Sequence, residues 1–206
     1  MNALHAGCGD TLFKDWINVD IKDVRLKQFL TSDYPFLLMN LEDKFPFDSN
    51  YFDYIYSEHL IEHLSYYGFK TFMMECYRCL KPGGIMRIAW PKLEFLIDLW
   101  QHSYKYIDYI ENHCENFNHV LAEDFNGGRN VPAMYVINEN YRSWGHQIMY
   151  DIPTLKMLLK KYGFKNIKQV EYCKSDHPIL CNLELGNKRG VKMNKLETAV
   201  LECEKL

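Results

Sequence analysis

The chain has 206 residues, 48% of them hydrophobic and 15% aromatic, with a formal net charge of −3. This composition excludes a disordered tail and suits one folded domain. The negative balance, with no basic face, excludes the electrostatic footprint of a nucleic-acid binder.

In chain order, short apolar runs at residues 2–6, 16–21, 36–41, 52–57 and 85–90 read as strands buried on both faces. A Gly7-Cys8-Gly9 turn follows the first run, and Asp20 closes the second. Phe69, Phe72, Met73, Cys76, Tyr77 and Leu80 recur at helical spacing and predict a helix. It ends at Lys81-Pro82-Gly83-Gly84, read as a sharp return to the next strand. Strand, helix, strand implies parallel pairing with a right-handed crossover. Leu93, Leu96, Ile97, Trp100, Tyr104 and Ile107 predict a second long helix. Residues 111–150 have no strong period and read as a lid or binding loop. Leu155, Leu158, Leu159 and Tyr162 predict a third helix closed by Gly163. Residues 167–172 and 179–185 read as a final strand pair. Residues 186–206 read as a helical surface tail, with Lys188, Arg189, Lys192 and Lys195 as a solvated basic cluster. The fold class expected is α/β: a Rossmann-like open, mostly parallel sheet with a C-terminal antiparallel pair and helices on both faces. One domain is expected over residues 1–185.

No stretch reads as a signal peptide, and no apolar run approaches the ~18 residues of a membrane span. Seven cysteines, without framework spacing, predict reduced thiols and a cytoplasmic protein.

Ligands of such sheets bind outside the carboxyl ends of the strands, which directs attention to Gly7, Gly9 and Asp20. A dinucleotide site wants a third glycine where Leu12 stands, and an acid about 20 residues downstream. Asp20 comes too early for a full helix in between. A pyrophosphate needs such a helix N-terminus, but a cofactor with adenosine and no phosphate does not. S-adenosylmethionine fits that description. The alternative, Asp20 as a cap of the next segment, stays open on the turn and the acid alone.

The segments LHAGCG, INVDI, NLEDKFPFDSNYFDYIYSEHLIEHL and YRCLKPGGIMRIAWP occur in this order. Together they resemble the class I S-adenosylmethionine-dependent methyltransferases, and most of all the short predicted methyltransferases of the type 11-like group, often associated with polysaccharide synthesis. The stretch GHQIMYDIPTLKMLLKKYGF is similar to the closing helix of that group, so the resemblance covers residues 4–185. It implies that Gly7, Cys8 and Gly9 form the cofactor turn and that Asp20 and Ile21 meet the ribose. It places Asn40 and Leu41 at the adenine, with Asn where the family often has Asp. Ser57 and Glu58 would line the methionine part. His5 and Cys79 replace commoner aliphatics.

His59-Leu60-Ile61-Glu62-His63 also matches a zinc-protease pattern, H-x-x-E-H. The parallel-sheet context favours a turn after the fourth strand, so no metal is expected there. Cys76 and Cys79 form a C-x-x-C at a helix C-terminus, where the dipole does not favour a thiolate. They read as core cysteines.

For a hydroxyl acceptor a general base helps. His59 is the first candidate, directly after a cofactor strand, and His146 is the second, beside the closing helix; each equally suits a surface or structural role. Trp90, Trp144, Tyr141 and Tyr150 suit either an aromatic acceptor pocket or the core. Residues 111–150, with His113, His119 and the Gly127-Gly128 pair as hinge, are expected to cap the acceptor side. The function expected is methyl transfer to a small-molecule or carbohydrate acceptor. The alternatives are a non-catalytic S-adenosylmethionine-binding module and a zinc hydrolase using HLIEH.

Overall fold

The computed structural model describes residues 1–22, 34–117, 123–125, 130–186 and 191–206. Among these, seven strands form one sheet: β1 (Ala3–Ala6), β2 (Ile17–Asp20), β3 (Phe36–Leu38), β4 (Phe52–Glu58), β5 (Leu80–Pro91), β6 (Lys165–Val170) and β7 (Thr198–Glu204). Their order is β3-β2-β1-β4-β5-β7-β6. The first five pair in parallel, and β7 runs antiparallel to both of its neighbours. The chain steps from β1 outward to β3, then crosses to β4 on the other side of β1. This reversal is the topological switch point, and it opens a crevice at the carboxyl ends of β1 and β4.

One face of the sheet is covered by α1 (Tyr66–Cys79) and α5 (Ile152–Lys161). Leu4, Ile55, Phe72, Met73, Leu155 and Leu159 meet there in the main core. Ser65 caps α1, its side chain accepting from the Gly68 N–H at 2.9 Å, and the Glu42 carboxylate fixes that cap by accepting from Ser65 N and Oγ. Asp151 caps α5 in the same way through Thr154 N. Cys76 and Cys79 are fully buried in this core, where burial raises both thiols.

On the opposite face Phe13, Trp16, Tyr56, Ile85, Leu180 and Leu183 form a second cluster. Two 3-10 turns, Pro178–Leu180 and Leu183–Gly186, cover it. Between β1 and β2 there is no helix at all. The buried Asn18 organises that loop, its Nδ2 donating to the carbonyls of Phe13, Trp16 and Pro35 and its Oδ1 accepting from Phe13 N.

A third cluster packs α2 (Leu93–Gln101), α3 (Ile107–Phe117) and α4 (Ala133–Arg142) around Phe95, Leu99, Ile110 and Val136. The expected long second helix thus stops at Gln101, and a 3-10 turn at Ser103–Lys105 separates it from α3. The expectation of an aperiodic loop over 111–150 is corrected as well. Its helices bury His113 and Asn140 on their inner faces, so an apolar-only pattern misses them. His119, Gly127, Gly128, Lys188 and Arg189 lie outside the described residues.

Two further expectations change at the C-terminal end. Residues 179–185 are not a strand, because Pro178 opens a 3-10 turn and Asn182 adopts φ +63°. The partner of β6 is instead β7, in the region expected to be a surface helix. Among the described residues there, α6 (Val191–Glu197) is helical. Ala199, Leu201 and Cys203 alternate into the main core, while the charge of Glu202 is met on the other face by Arg87. Residues 198–204 therefore belong to the sheet.

Candidate active site

Gly7 leaves β1 at φ +70° and Gly9 follows at φ +51°, backbone that glycine adopts without strain. A Cβ at Gly7 would come within 2.8 Å of Leu60 Cδ1, whereas at Gly9 it would meet nothing within 4 Å. Gly7 N and Cys8 N both donate to the Val19 carbonyl, at 2.9 and 3.0 Å. The Cys8 side chain turns into the protein, where burial and then the charge of Asp20 push its thiol up to about 12. Gly9 N donates to Asp20 Oδ2 at 2.9 Å, and Lys22 N donates to Oδ1 at 3.0 Å. A carboxylate has about four lone-pair sites, so Asp20 is oriented by these two bonds and retains capacity for a ligand.

A cleft of about 300 Å³ opens in front of this turn. Its lining includes Gly7, Asp20, Ile21, Asn40 and Leu41, five of the residues the sequence assigns to the cofactor. Ile21 is 63% exposed, a large apolar side chain held at the rim. Asn40 Oδ1 accepts from Glu42 N at 3.1 Å, which leaves its Nδ2 pair for a ligand. Cradle, acid and apolar wall fit an adenosyl group, and no helix N-terminus follows the glycine turn to receive a phosphate.

Ser57 and Glu58 do not line the cleft. Ser57 is fully buried. Glu58 lies on the face of Tyr56, whose phenol burial and then the Glu58 charge hold well above its ordinary pKa. In their place the structure brings Leu60, His63, Leu64 and Gln147 to the wall. His63 belongs to the HLIEH stretch, which the sequence reads as a zinc-protease pattern pairing it with His59 rather than as part of the cleft.

His59 follows β4 at φ +47°, its side chain 8% exposed and its Nδ1 3.2 Å from Glu62 Oε1. Ile61–His63 form a 3-10 turn, so His59 and His63 do not share a helix face as a zinc-protease motif requires. His63 Nε2 lies 4.0 Å from Glu62 Oε1, and the His63 and His146 rings meet edge to face at 4.7 Å. The segment after α4 is clipped to this turn by Gln147: its N donates to the Glu62 carbonyl at 2.7 Å, and its Nε2 donates to the His63 carbonyl at 2.7 Å. The Glu62 side chain is 1% exposed. Burial works to raise its pKa, but the His59 hydrogen bond and the charges of His59 and His63 hold it below the usual value.

The aromatic candidates divide. Trp90 and Tyr150 are core, with Trp90 Nε1 donating to the Tyr150 carbonyl at 3.0 Å. Trp144 and Tyr141 are exposed. His113 is buried and paired with Glu139 at 2.9 Å, away from the cleft lining.

The family model described as "Methyltransferase domain" matches residues 4–88. No curated protein matches this chain. Among solved structures it is similar to a SAM-dependent methyltransferase from Archaeoglobus fulgidus, at 17% identity and TM-score 0.57, covering 99% of this chain and 86% of that one. An S-adenosylmethionine-dependent methyltransferase from Mesorhizobium loti is 12% identical at TM-score 0.55, with 99% and 90% covered. The YcgJ protein of Bacillus subtilis is 11% identical at TM-score 0.56, with 99% and 91% covered. At such identities the likeness establishes the shared fold. The matched domain spans the glycine turn, Asp20, Asn40 and the end of β4, so this part of the chain is similar to a methyltransferase domain, and S-adenosylmethionine is the cofactor its cleft fits.

Proposed function

We propose that the chain transfers the methyl group to a hydroxyl oxygen of a small-molecule or carbohydrate acceptor. Bound in the cleft, S-adenosylmethionine supplies a methyl group on a sulfonium leaving group. This chain's residues must hold the acceptor oxygen about 3–3.5 Å from that carbon, in line with the breaking bond, and keep water out. Gly7, Asp20, Asn40 and Leu41 fix the cofactor end. The observation that carries the choice of a hydroxyl is the cluster of His59, His63 and His146 around the buried Glu62, with His63 on the cleft wall. A hydroxyl must lose a proton as it attacks, and imidazoles beside a carboxylate are suited to receive it. His59, 3.2 Å from Glu62, is the member whose protonated form the carboxylate stabilises most directly. The segment from α4 to Tyr150, clipped to the His63 turn, serves as the acceptor-side wall.

The test is release of S-adenosylhomocysteine across a panel of sugar and phenolic acceptors. His59→Ala and His146→Ala should each lower turnover by about a hundredfold or more, while calorimetric affinity for S-adenosylhomocysteine stays close to that of the wild type. Tight S-adenosylhomocysteine binding with no acceptor methylated would favour the non-catalytic binding module.

A further inference from the structure

Among the described residues, Glu62, His63 and His146 form a group whose ligand atoms all lie within 4.8 Å of one another. It differs from the pair that the HLIEH pattern suggests, because His146 comes from a separate segment, 83 residues beyond His63.

Three observations make it more than a chance meeting. His146 Nδ1 lies 2.5 Å from the Asn140 carbonyl oxygen. A carbonyl only accepts, so Nδ1 carries the proton and Nε2 presents its lone pair. That Nε2 is buried without a hydrogen-bond partner. A backbone carbonyl fixing the far nitrogen is the outer-shell arrangement of metal-ligating histidines. Second, Glu62 is an almost wholly buried carboxylate with His59 Nδ1 at 3.2 Å and His63 Nε2 at 4.0 Å from its Oε1, and a buried charge is costly unless it is paired or coordinates a metal. Third, the Gln147 bonds to the Glu62 and His63 carbonyls hold the two segments in register, so the cluster rests on backbone.

We propose that Glu62, His63 and His146 bind a divalent first-row transition metal at the wall of the cofactor cleft. Two imidazoles and one carboxylate suit zinc, cobalt, manganese or iron(II) better than magnesium or calcium, which prefer all-oxygen shells. Three ligands each about 2.1 Å from one cation are about 3.4–3.6 Å apart, so the trio closes by up to about an ångström on binding. Three protein ligands leave coordination positions open, the pattern of catalytic rather than structural sites. Resting on the hydroxyl reading above, the role is to take the acceptor oxygen as a further ligand and lower its pKa. The O–H bond breaks, the proton goes to His59, the oxygen attacks the methyl carbon, and the C–S electron pair leaves with the sulfur. His59 stays outside the ligand set, its Nδ1 turned to Glu62.

The experiment titrates untagged, chelator-stripped full-length protein with Co²⁺, followed by its visible absorption and by calorimetry, with Zn²⁺ as competitor. The expected result is one Co²⁺ per chain, displaced by Zn²⁺. His146→Ala and Glu62→Gln should each weaken binding by more than about a hundredfold, beyond the 10–100-fold of an outer-shell loss. His59→Ala should keep stoichiometric binding. Retained S-adenosylhomocysteine affinity certifies that each variant is folded. If Glu62→Gln fails this, His146→Ala alone decides. No saturable binding by the wild type, or binding unchanged in His146→Ala, overturns the site. Binding as expected, with no hydroxyl acceptor methylated when metal is restored, would instead overturn the reading of function and leave the site standing.

Discussion

Asp20 performs two tasks with one carboxylate. Its Oδ2 accepts from Gly9 N and its Oδ1 from Lys22 N, so the side chain that faces the cleft also sets the glycine turn. In the role proposed for it, removing it costs both the ligand bonds and the shape of the cradle. A hydrogen bond to a charged group is worth roughly 1.5–3 kcal/mol. Asp20→Ala should therefore weaken S-adenosylhomocysteine binding by at least about tenfold, and Asp20→Asn should recover part of it, since an amide oxygen still accepts. Calorimetry on the three proteins decides, and an unchanged affinity in Asp20→Ala would remove Asp20 from the site. Cys8 illustrates the opposite division, where the backbone belongs to the glycine turn and the side chain to the core.

At the scale of elements, the second face of the sheet depends on one buried cation. Arg87 on β5 donates from Nε to Glu184 Oε1 at 2.7 Å and from Nη1 to Glu202 Oε1 at 2.6 Å and to the Lys174 carbonyl at 2.9 Å. These bonds pin the 3-10 turn at Leu183–Gly186 and β7 to the sheet. Burial alone would lower the pKa of the guanidinium, but Glu184 and Glu202 outweigh it and keep it charged. Breaking a buried pair by removing one partner costs about 3–5 kcal/mol. Glu184→Gln should lower stability by an amount of that order in urea unfolding, with S-adenosylhomocysteine affinity of the folded protein little changed. A loss below 1 kcal/mol would mean that the triad is solvated. The triad also explains what could be read in the sequence. The parallel strands announced themselves because both of their faces are apolar, and α1 and α5 because their stripes are. β7 did not, because Glu202 and Glu204 make it look solvated until Arg87, 115 residues away from Glu202, supplies the countercharge. The cleft residues at Gly7, Asp20, Asn40 and Leu41 were legible because they follow strand ends. Gln147 was not, because only the fold brings it to the turn that carries His63.

For the molecule as a whole, His5 predicts how the fold responds to acid. It is buried in β1, stacked on Phe13, with Nδ1 3.3 Å from Asn18 Oδ1. Burial lowers its pKa to about 3, against the opposing effect of Asn18. The unfolded chain takes up this proton near pH 6.5, whereas the folded chain resists until about pH 3. Stability from this group is therefore full above pH 6.5 and falls through the window below it, by up to about 1.4 kcal/mol per pH unit. Between pH 6.5 and 5, above the ordinary carboxylate range, His5→Leu should show a shallower fall of the urea midpoint than the wild type. Equal slopes would mean that His5 titrates normally in the fold.

The placement of β7 between β5 and β6 sets a timetable for biosynthesis. A chain made from its N-terminus at about 5–20 residues per second releases β6 roughly 2–7 s before the strand that must hold it. β1 to β5 can pair during that interval, since each neighbours strands already made. β6 cannot join them, and the outer edge of β5, buried in the finished sheet, stands open with its hydrogen-bonding groups unfilled. Such an edge is a template for another nascent chain, so the newborn protein is most exposed to aggregation in the seconds before residues 198–204 clear the ribosome.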